Sequence, residues 1–308
     1  MKKQTKLVTG VVTLMSVLTL AACSSQTSPK ESLITMKGDT ITVSDFYNQA
    51  KDTTAGQQAM LTLVLDRVFE KQYGDKVSDK EVTKAYDEQA EAYGSNFSAA
   101  LSSAGMTEKT YKQQIRVEKL IEYAVNKAAQ KELTTANYKE AYQHYTPETT
   151  VEVIKLDDES KAKSVLEEAK KEGADFAKVA KDNTKADKVE YRFDSSDTTL
   201  PTEVQTAAFK LKEGEISDVI EVTDTTTYQP NYYIVKTIKK ESKNGDWKTY
   251  KKRLKETILN AKTSDSTFRN SVIAKALEKA NVKIKDKSFS NILANYGSTT
   301  ANSSSSSK

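Results

Sequence analysis

The chain has 308 residues and a formal charge of +4, from 47 basic and 43 acidic residues, with one cysteine and one histidine. That balance lacks the clustered basic face a nucleic-acid surface needs, and a lone cysteine excludes a disulfide framework. A histidine with no second histidine and no further thiol leaves only carboxylates for metal, and none falls at calcium-loop spacing, so no metal and no cofactor is expected.

The first element is an export signal. Lys2, Lys3 and Lys6 precede an apolar run from Leu7 to Leu20, and Leu20-Ala21-Ala22-Cys23 closes it. The run is too short for roughly 30 Å of hydrocarbon, which takes about 20 residues, but a basic start, a short apolar stretch and small residues before a cut fit a cleaved signal. Cys23 stands at +1 of a lipobox. The spacing predicts cleavage after residue 22 and a diacylglycerol thioether on Cys23, whose two acyl chains anchor stably where one does not. The alternative is an ordinary secretory signal with an incidental cysteine. Removing residues 1–22 takes away three lysines and no acid, so the remainder is close to neutral.

Residues 23–31 read as a polar tether. Leu33–Met36 and Thr40–Val43 flank Lys37-Gly38-Asp39 as a short hairpin that feeds a helix capped at Ser44. Met60, Leu61, Val64, Leu65, Val68 and Phe69 recur at helical spacing, Ser78 and Glu81 form a capping box, and Ile115, Leu120, Ile121, Ala124 and Val125 make another stripe. Residues 32–148 are thus expected to be a helical domain.

The pattern changes after Pro147. Thr149–Leu156 alternates and is β-branched, 158–171 and 175–181 are helical, and 189–193 and 231–238 read as strands, so 149–240 is expected to be a compact α+β unit. Past Lys240 helices return, with Trp247, Tyr250, Leu254 and Ile258 on one face and Phe268, Val272, Ile273, Ala276 and Leu277 on another. The simplest α+β architecture builds a helical domain from both flanks, with 241–290 packing on the N-terminal part and the α+β unit inserted. Residues 291–308 end in serines and are expected to be disordered.

Within the inserted unit, Ala207-Ala208-Phe209-Lys210-Leu211-Lys212-Glu213-Gly214-Glu215-Ile216-Ser217-Asp218 resembles a segment of parvulin-type peptidyl-prolyl isomerases, and Gly173-Ala174-Asp175-Phe176 resembles a helix start of the same family. With the lipobox and helical flanks, the chain resembles the PrsA foldase lipoproteins of Gram-positive bacteria. The resemblance implies a cofactor-free isomerase or chaperone, anchored through Cys23 on the outer face of the cytoplasmic membrane. It implies unfolded or folding secreted proteins as partners, and a helical region that can pair with a second copy.

Active parvulins carry a histidine on the first strand and another on the last. Here the only histidine, His144, lies outside the unit, so the resemblance implies that both positions are substituted. By position the first falls on or next to Glu152 and the second on Tyr233; the family's Cys or Asp falls near Ala186 or Asp187. Leu200, Val204 and Phe193 correspond to the apolar proline pocket, with Phe209 as domain core. Each has a plainer reading: ordinary core for the apolar four, exposed strand positions for Glu152 and Tyr233, and a surface or capping residue for His144. Three functions stay open: a prolyl isomerase acting on secreted proteins, a non-catalytic holdase with a degenerate parvulin cleft, and a solute-binding lipoprotein built from parallel α/β lobes.

Overall fold

The computed structural model describes residues 28–297; Cys23, the signal and the serine tail lie outside them. In chain order, strands β1 (Ser32–Met36) and β2 (Asp39–Thr42) precede helices α1 (Val43–Ala50), α2 (Thr54–Tyr73), α3 (Asp79–Tyr93), α4 (Phe97–Ser103), α5 (Glu108–Ala129) and α6 (Thr135–His144). Then come β3 (Thr149–Leu156), α7 (Glu159–Ala169), α8 (Phe176–Asn183), β4 (Glu190–Phe193), α9 (Thr202–Lys210), β5 (Ile220–Thr223) and β6 (Pro230–Lys240). Helices α10 (Lys251–Ser264) and α11 (Ser266–Lys279) close the series. Among the described residues no helix is long and apolar enough to cross a membrane.

The chain forms two compact units, one from residues up to Gln130 together with Lys262 onward, the other from Lys131 to Ala261. In the first, β1 and β2 pair antiparallel, and Gly38, at φ +89°, makes the turn that other residues resist. Helix α1 is capped two residues earlier than the sequence suggests: Thr42, not Ser44, accepts from the Asp45 amide, and the Asp45 carboxylate accepts from the Thr42 amide at 2.9 Å. That reciprocal pair satisfies two orphan donors at once, which Ser44 has no partner to do. Ser78 and Glu81 form the expected capping box on α3.

The core of this unit is the stripe chemistry of α2, α5 and α11: Phe69 and Leu120 are fully buried, with Ile121, Ala124, Ile273 and Leu277 around them. Arg116 on α5 grips Glu70 of α2 with two nitrogens at 2.9 and 3.0 Å and donates to the carbonyls of Gly74 and Val77, tying the α2–α3 connection to α5. Arg269 on α11 points one nitrogen, Nη2, at both carboxylate oxygens of Glu118, at 2.7 and 2.8 Å, and Gln72 donates to the Ala276 carbonyl. The C-terminal return is therefore held by charge-assisted pairs as well as apolar contact. The expected disordered tail begins too early at 291, because Leu293 is 1% exposed in this core and Ile292 and Tyr296 pack beside it. Its apolar residues, short of the serine run, bury enough surface to order the segment.

The second unit carries a four-stranded sheet in the order β4-β3-β6-β5, antiparallel at every pairing. This is not the parallel arrangement of a solute-binding lobe. Ile154 and Leu156 face α7 and α8, while Val151 and Val153, offset by one, face α9; period-2 alternation gives the sheet two apolar faces. Strand β5 escapes the sequence pattern because it is a four-residue edge strand, closed by a turn in which the Asp224 carboxylate accepts from the amides of Thr226 and Thr227 at 2.8 Å.

The unit is larger than 149–240. Tyr138 on α6, Tyr145, and Leu254 and Ile258 on α10 form one buried cluster, with Trp247 stacked on Tyr138 at 5.1 Å. The face of Trp247, Tyr250, Leu254 and Ile258 thus packs on α6, within the expected 32–148 span, but α6 itself belongs to this unit, so the helical unit ends at Gln130 and takes from 241–290 only the part from Lys262 on. Helical periodicity identifies an apolar face but not its partner.

Asp194 holds these brackets to the sheet. Its side chain, 8% exposed, accepts from Arg253 Nε at 2.6 Å and Nη2 at 2.8 Å, from the Tyr145 hydroxyl at 2.9 Å, and from the Ser196 amide at 2.8 Å. Burial opposes its ionisation, but Arg253, Ser196 and Tyr145 outweigh that and hold the carboxyl below its ordinary value of 3.8. A depressed folded value means the stabilisation is present above the unfolded value and is lost as pH falls through the folded one. Asp194→Asn should cost about 1.5 kcal/mol at neutral pH, the worth of a hydrogen bond to a charged group, because Asp197 at 2.8 Å and Glu256 at 3.0 Å still meet Arg253, and the variant should lose less stability than the parent on acidification below about pH 4. Urea unfolding of both chains at pH 7 and pH 3 checks the magnitude and the sign.

Candidate functional site

The apolar face of the sheet that carries α9 brings most of the sequence candidates together. Phe193 (1% exposed), Val204 (0%) and Leu200 (7%) pack with Val151, Val153, Ala208, Tyr233 and Val235, and Tyr191, Phe209, Ile220 and Val222 close the rim. Phe209 meets the Phe193 ring edge-on at 5.3 Å between centroids. It is half-buried, so it lines the edge of the cluster and not its centre.

The segment Ala207–Ser217 explains how this face is built. Gly214 adopts φ +85°, a conformation costly for residues with a Cβ, and its amide reaches the Thr237 carbonyl at 2.7 Å. Ser217 bonds Val235 twice, its amide to the carbonyl at 2.8 Å and its Oγ from the amide at 2.9 Å. Lys240 Nζ donates to the carbonyls of Phe209 and Leu211 at the end of α9, where a cation also meets the favourable end of the helix dipole. Together these contacts clamp α9 against β6.

Tyr233, 7% exposed, lies in this cluster. Burial, with Tyr191 and Asp224 nearby, raises its phenol above 10.0. Burial and the Asp187 carboxylate raise Tyr191 as well. Asp187 is exposed on the loop before β4 and approaches Tyr191, so Tyr191 connects the two candidates Asp187 and Tyr233. Lys155 Nζ stands 6.0 Å from the Tyr233 ring centre and Lys188 Nζ 4.5 Å from that of Tyr191. The polar side of this face is therefore two protonated phenols, a carboxylate and two ammonium groups. Tyr191 and Lys155 were not among the sequence candidates, although alternation from Phe193 and Val153 puts both on this face.

Glu152 does not join them. Its parity is that of Ile154 and Leu156, so it sits on the opposite face, paired across the ladder with Lys236, whose Nζ lies over the Phe176 ring of α8. The residues beside it, Val151 and Val153, are the ones that face α9, and both are wholly buried. Ala186 lies in the same short connection as Asp187, its amide bonded to Thr184 Oγ1. His144 is exposed at the end of α6. On the side of α7 and α8 an open hollow of about 400 Å³ is lined by charged residues including Lys171, Asp175 and Lys178. Among the described residues no group of three His, Cys, Asp or Glu side chains could hold a metal ion.

A four-stranded antiparallel sheet with two helices on one face, and a third on the other over an apolar cluster, is the architecture of a parvulin-type isomerase domain. The family model described as PPIC-type PPIASE domain matches residues 134–244, a span that begins at α6 as the Tyr138–Trp247 cluster does. Beyond that domain, the whole chain is 62% identical over 306 residues to the foldase protein PrsA of Streptococcus agalactiae serotype V, covering 99% of each. It is 63% identical over 296 residues to that of Streptococcus mutans serotype c, covering 96% of this chain and 88% of the relative. The crystal structure of foldase protein PrsA from Streptococcus pneumoniae superposes with a TM-score of 0.79 at 47% identity, covering 86% of this chain and 99% of that one. The protein from Lactococcus lactis gives 0.62 at 38% identity, with coverage of 86% and 99%. The chain belongs to the PrsA foldase family.

The placement of Glu152 has a measurable consequence. Burial raises its carboxyl above 4.5 despite Lys236, so its contribution to stability is greatest below 4.5 and declines as pH rises through the folded value. Glu152→Gln should therefore raise the melting temperature at pH 7 and leave proline-peptide binding unchanged, whereas Phe193→Ala should lower the melting temperature through the cavity it opens. Calorimetry and peptide titration separate the two faces; weaker binding by the Glu152 variant contradicts this geometry.

Proposed function

We propose that the protein is an extracytoplasmic foldase, tethered by a diacylglycerol on Cys23 to the outer face of the bacterial membrane, that assists exported chains as they fold. The observation that carries this reading is a parvulin-type domain set within a chain that matches PrsA foldases end to end. Rotation about an Xaa-Pro bond crosses about 18–20 kcal/mol and takes tens to hundreds of seconds unaided, which delays any client that needs the other isomer.

In this reading proline settles at the rim of Phe209, Tyr191 and Ile220, above the buried Phe193, Leu200 and Val204. The twisting amide then lies beside Tyr233, Tyr191 and Asp187. The two histidine positions of active parvulins are taken by the Val151–Val153 segment and by Tyr233. Catalysis there is differential stabilisation of the twisted state by an apolar surface and neutral donors, with no covalent step and no cofactor. Because phenols raised above 10.0 stay protonated, the rate should be flat from about pH 6 to 9, where a histidine pair would titrate near 6.5.

A second reading is favoured by the full burial of Val151 and Val153: a cleft without polar groups from its first strand can hold a proline segment without turning it over. The protein would then be a holdase. The chain lacking residues 1–23, in a protease-coupled assay on an Xaa-Pro peptide, decides between them. Isomerisation above the solvent rate is expected, with Tyr233→Phe about fivefold slower, the worth of one hydrogen bond of about 1 kcal/mol. A rate equal to solvent, with suppression of client aggregation intact, would establish the holdase instead. Cys23→Ala should release the protein from membranes without changing its helical content.

A further inference from the structure

The segment Ser32–Ala50, nearest in sequence to Cys23, contains no buried residue. Every residue of β1 is exposed, and Leu33 (43%), Ile34 (56%) and Met36 (50%) are among the most exposed large apolar side chains. Ile34 and Met36 share one face of the hairpin, Ile34 opposite Ile41, and Leu33 is the extra residue of a bulge between Ser32 and Ile34. Pairing with β2 leaves the second edge of β1 without a strand partner in its sheet. Tyr47, also exposed at 41%, follows on α1 and is fixed by its hydroxyl to Asp286 at 2.8 Å. A hairpin with three large apolar side chains in water is an aggregation hazard unless something covers it.

We infer that this hairpin is a membrane-contact element: Leu33, Ile34 and Met36 enter the interfacial zone of the bilayer that holds the Cys23 lipid. The inference rests on the anchoring proposed above. The covering partner is identified by reach. Nine peptide links join Cys23 to Ser32, and fully extended they span at most about 30 Å, so an anchored chain cannot carry β1 farther than that from the lipid. Tethering of this length turns weak apolar contact into an intramolecular event at high effective concentration.

Charge supports an apolar contact and not an electrostatic one. Lys30 and Lys37 are offset by Glu31, Asp39 and Asp45, so the segment lacks the polybasic patch that recognises anionic headgroups. Contact should then be insensitive to salt and to the anionic lipid fraction. Its effect is to hold the base of the helical unit at the membrane instead of leaving it on a free tether.

The test uses full-length lipidated protein carrying Ile34→Trp in phosphatidylcholine/phosphatidylglycerol vesicles, with lipids brominated in the upper acyl chain as quenchers. The parent, which has only Trp247, supplies the baseline. Quenching of the variant at least about twofold beyond the parent is expected, unchanged between low and high salt. A second variant, Met36→Trp, guards against a local effect of the first. If both co-float with vesicles but show only parental quenching, the membrane contact is wrong and the anchor stands. If the protein does not co-float, the anchor fails and this inference with it. Emission that shifts with protein concentration and not with brominated lipid would assign the hairpin to a second copy instead.

Discussion

The buried carboxylate of Asp194 is the constraint on which the isomerase-like unit turns. It follows directly on Phe193, so the grip of Arg253 and Tyr145 on that carboxylate also fixes the aromatic floor of the apolar face. The next residue, Ser195, exchanges two hydrogen bonds with Thr146, amide to carbonyl at 3.0 Å and Oγ from amide at 2.8 Å. The entry to β3 and the exit of β4 are thereby locked side by side. One acidic residue ties Tyr145, just past α6, and Arg253 of α10 to the end of β4. A carboxylate this buried is tolerable only because its lone pairs are filled and its charge is met by a bidentate guanidinium.

The same logic separates scaffold from site in the motif that carries the family resemblance. Gly214, Ser217 and the carbonyls at the end of α9 are occupied in fastening α9 to β6. None of them faces the rim. Apart from Phe209, which lines the rim, the motif therefore reports how α9 is fastened and not the polar groups of the face. The polar groups of that face are instead Tyr233, Tyr191, Lys155 and Asp187.

Much of this was legible in the sequence, because helical stripes such as those of Leu120 and Phe69 and the β-branched alternation of 149–156 reflect periodicity, which is local. What was not legible depended on partners. The face of Trp247 and Leu254 is as helical as that of Val272 and Leu277, yet one packs against Tyr138 and the other against Leu120. Glu152 illustrates the sharpest limit: in a strand, a shift of one residue exchanges faces, so "on or next to" spans both sides of the sheet. Tyr191 was overlooked because its importance comes from Asp187 and Tyr233, which only the folded ladder brings near. The Thr42 cap was decided by whether a reciprocal acid stood three residues on, and Ser44 has none.

The distribution of charge on the working face bears on what it can do to an amide. Twisting an Xaa-Pro bond removes resonance, so the carbonyl oxygen loses negative charge and the nitrogen gains a lone pair. A strong cation aimed at the oxygen would favour the planar state and slow rotation, whereas a neutral donor beside the nitrogen favours the twisted one. Lys155 and Lys188 lie over tyrosine rings, where the π faces share their charge, and the groups nearest the apolar cluster are uncharged phenols. An arrangement that keeps ammonium charge engaged with the rings, and keeps the phenols protonated by burial, suits amide rotation better than it suits hydrolysis. The separation of Glu152 to the far side of the sheet acts in the same direction, since a carboxylate among Val151, Val153 and Val204 would bring water into the surface proposed to seat proline.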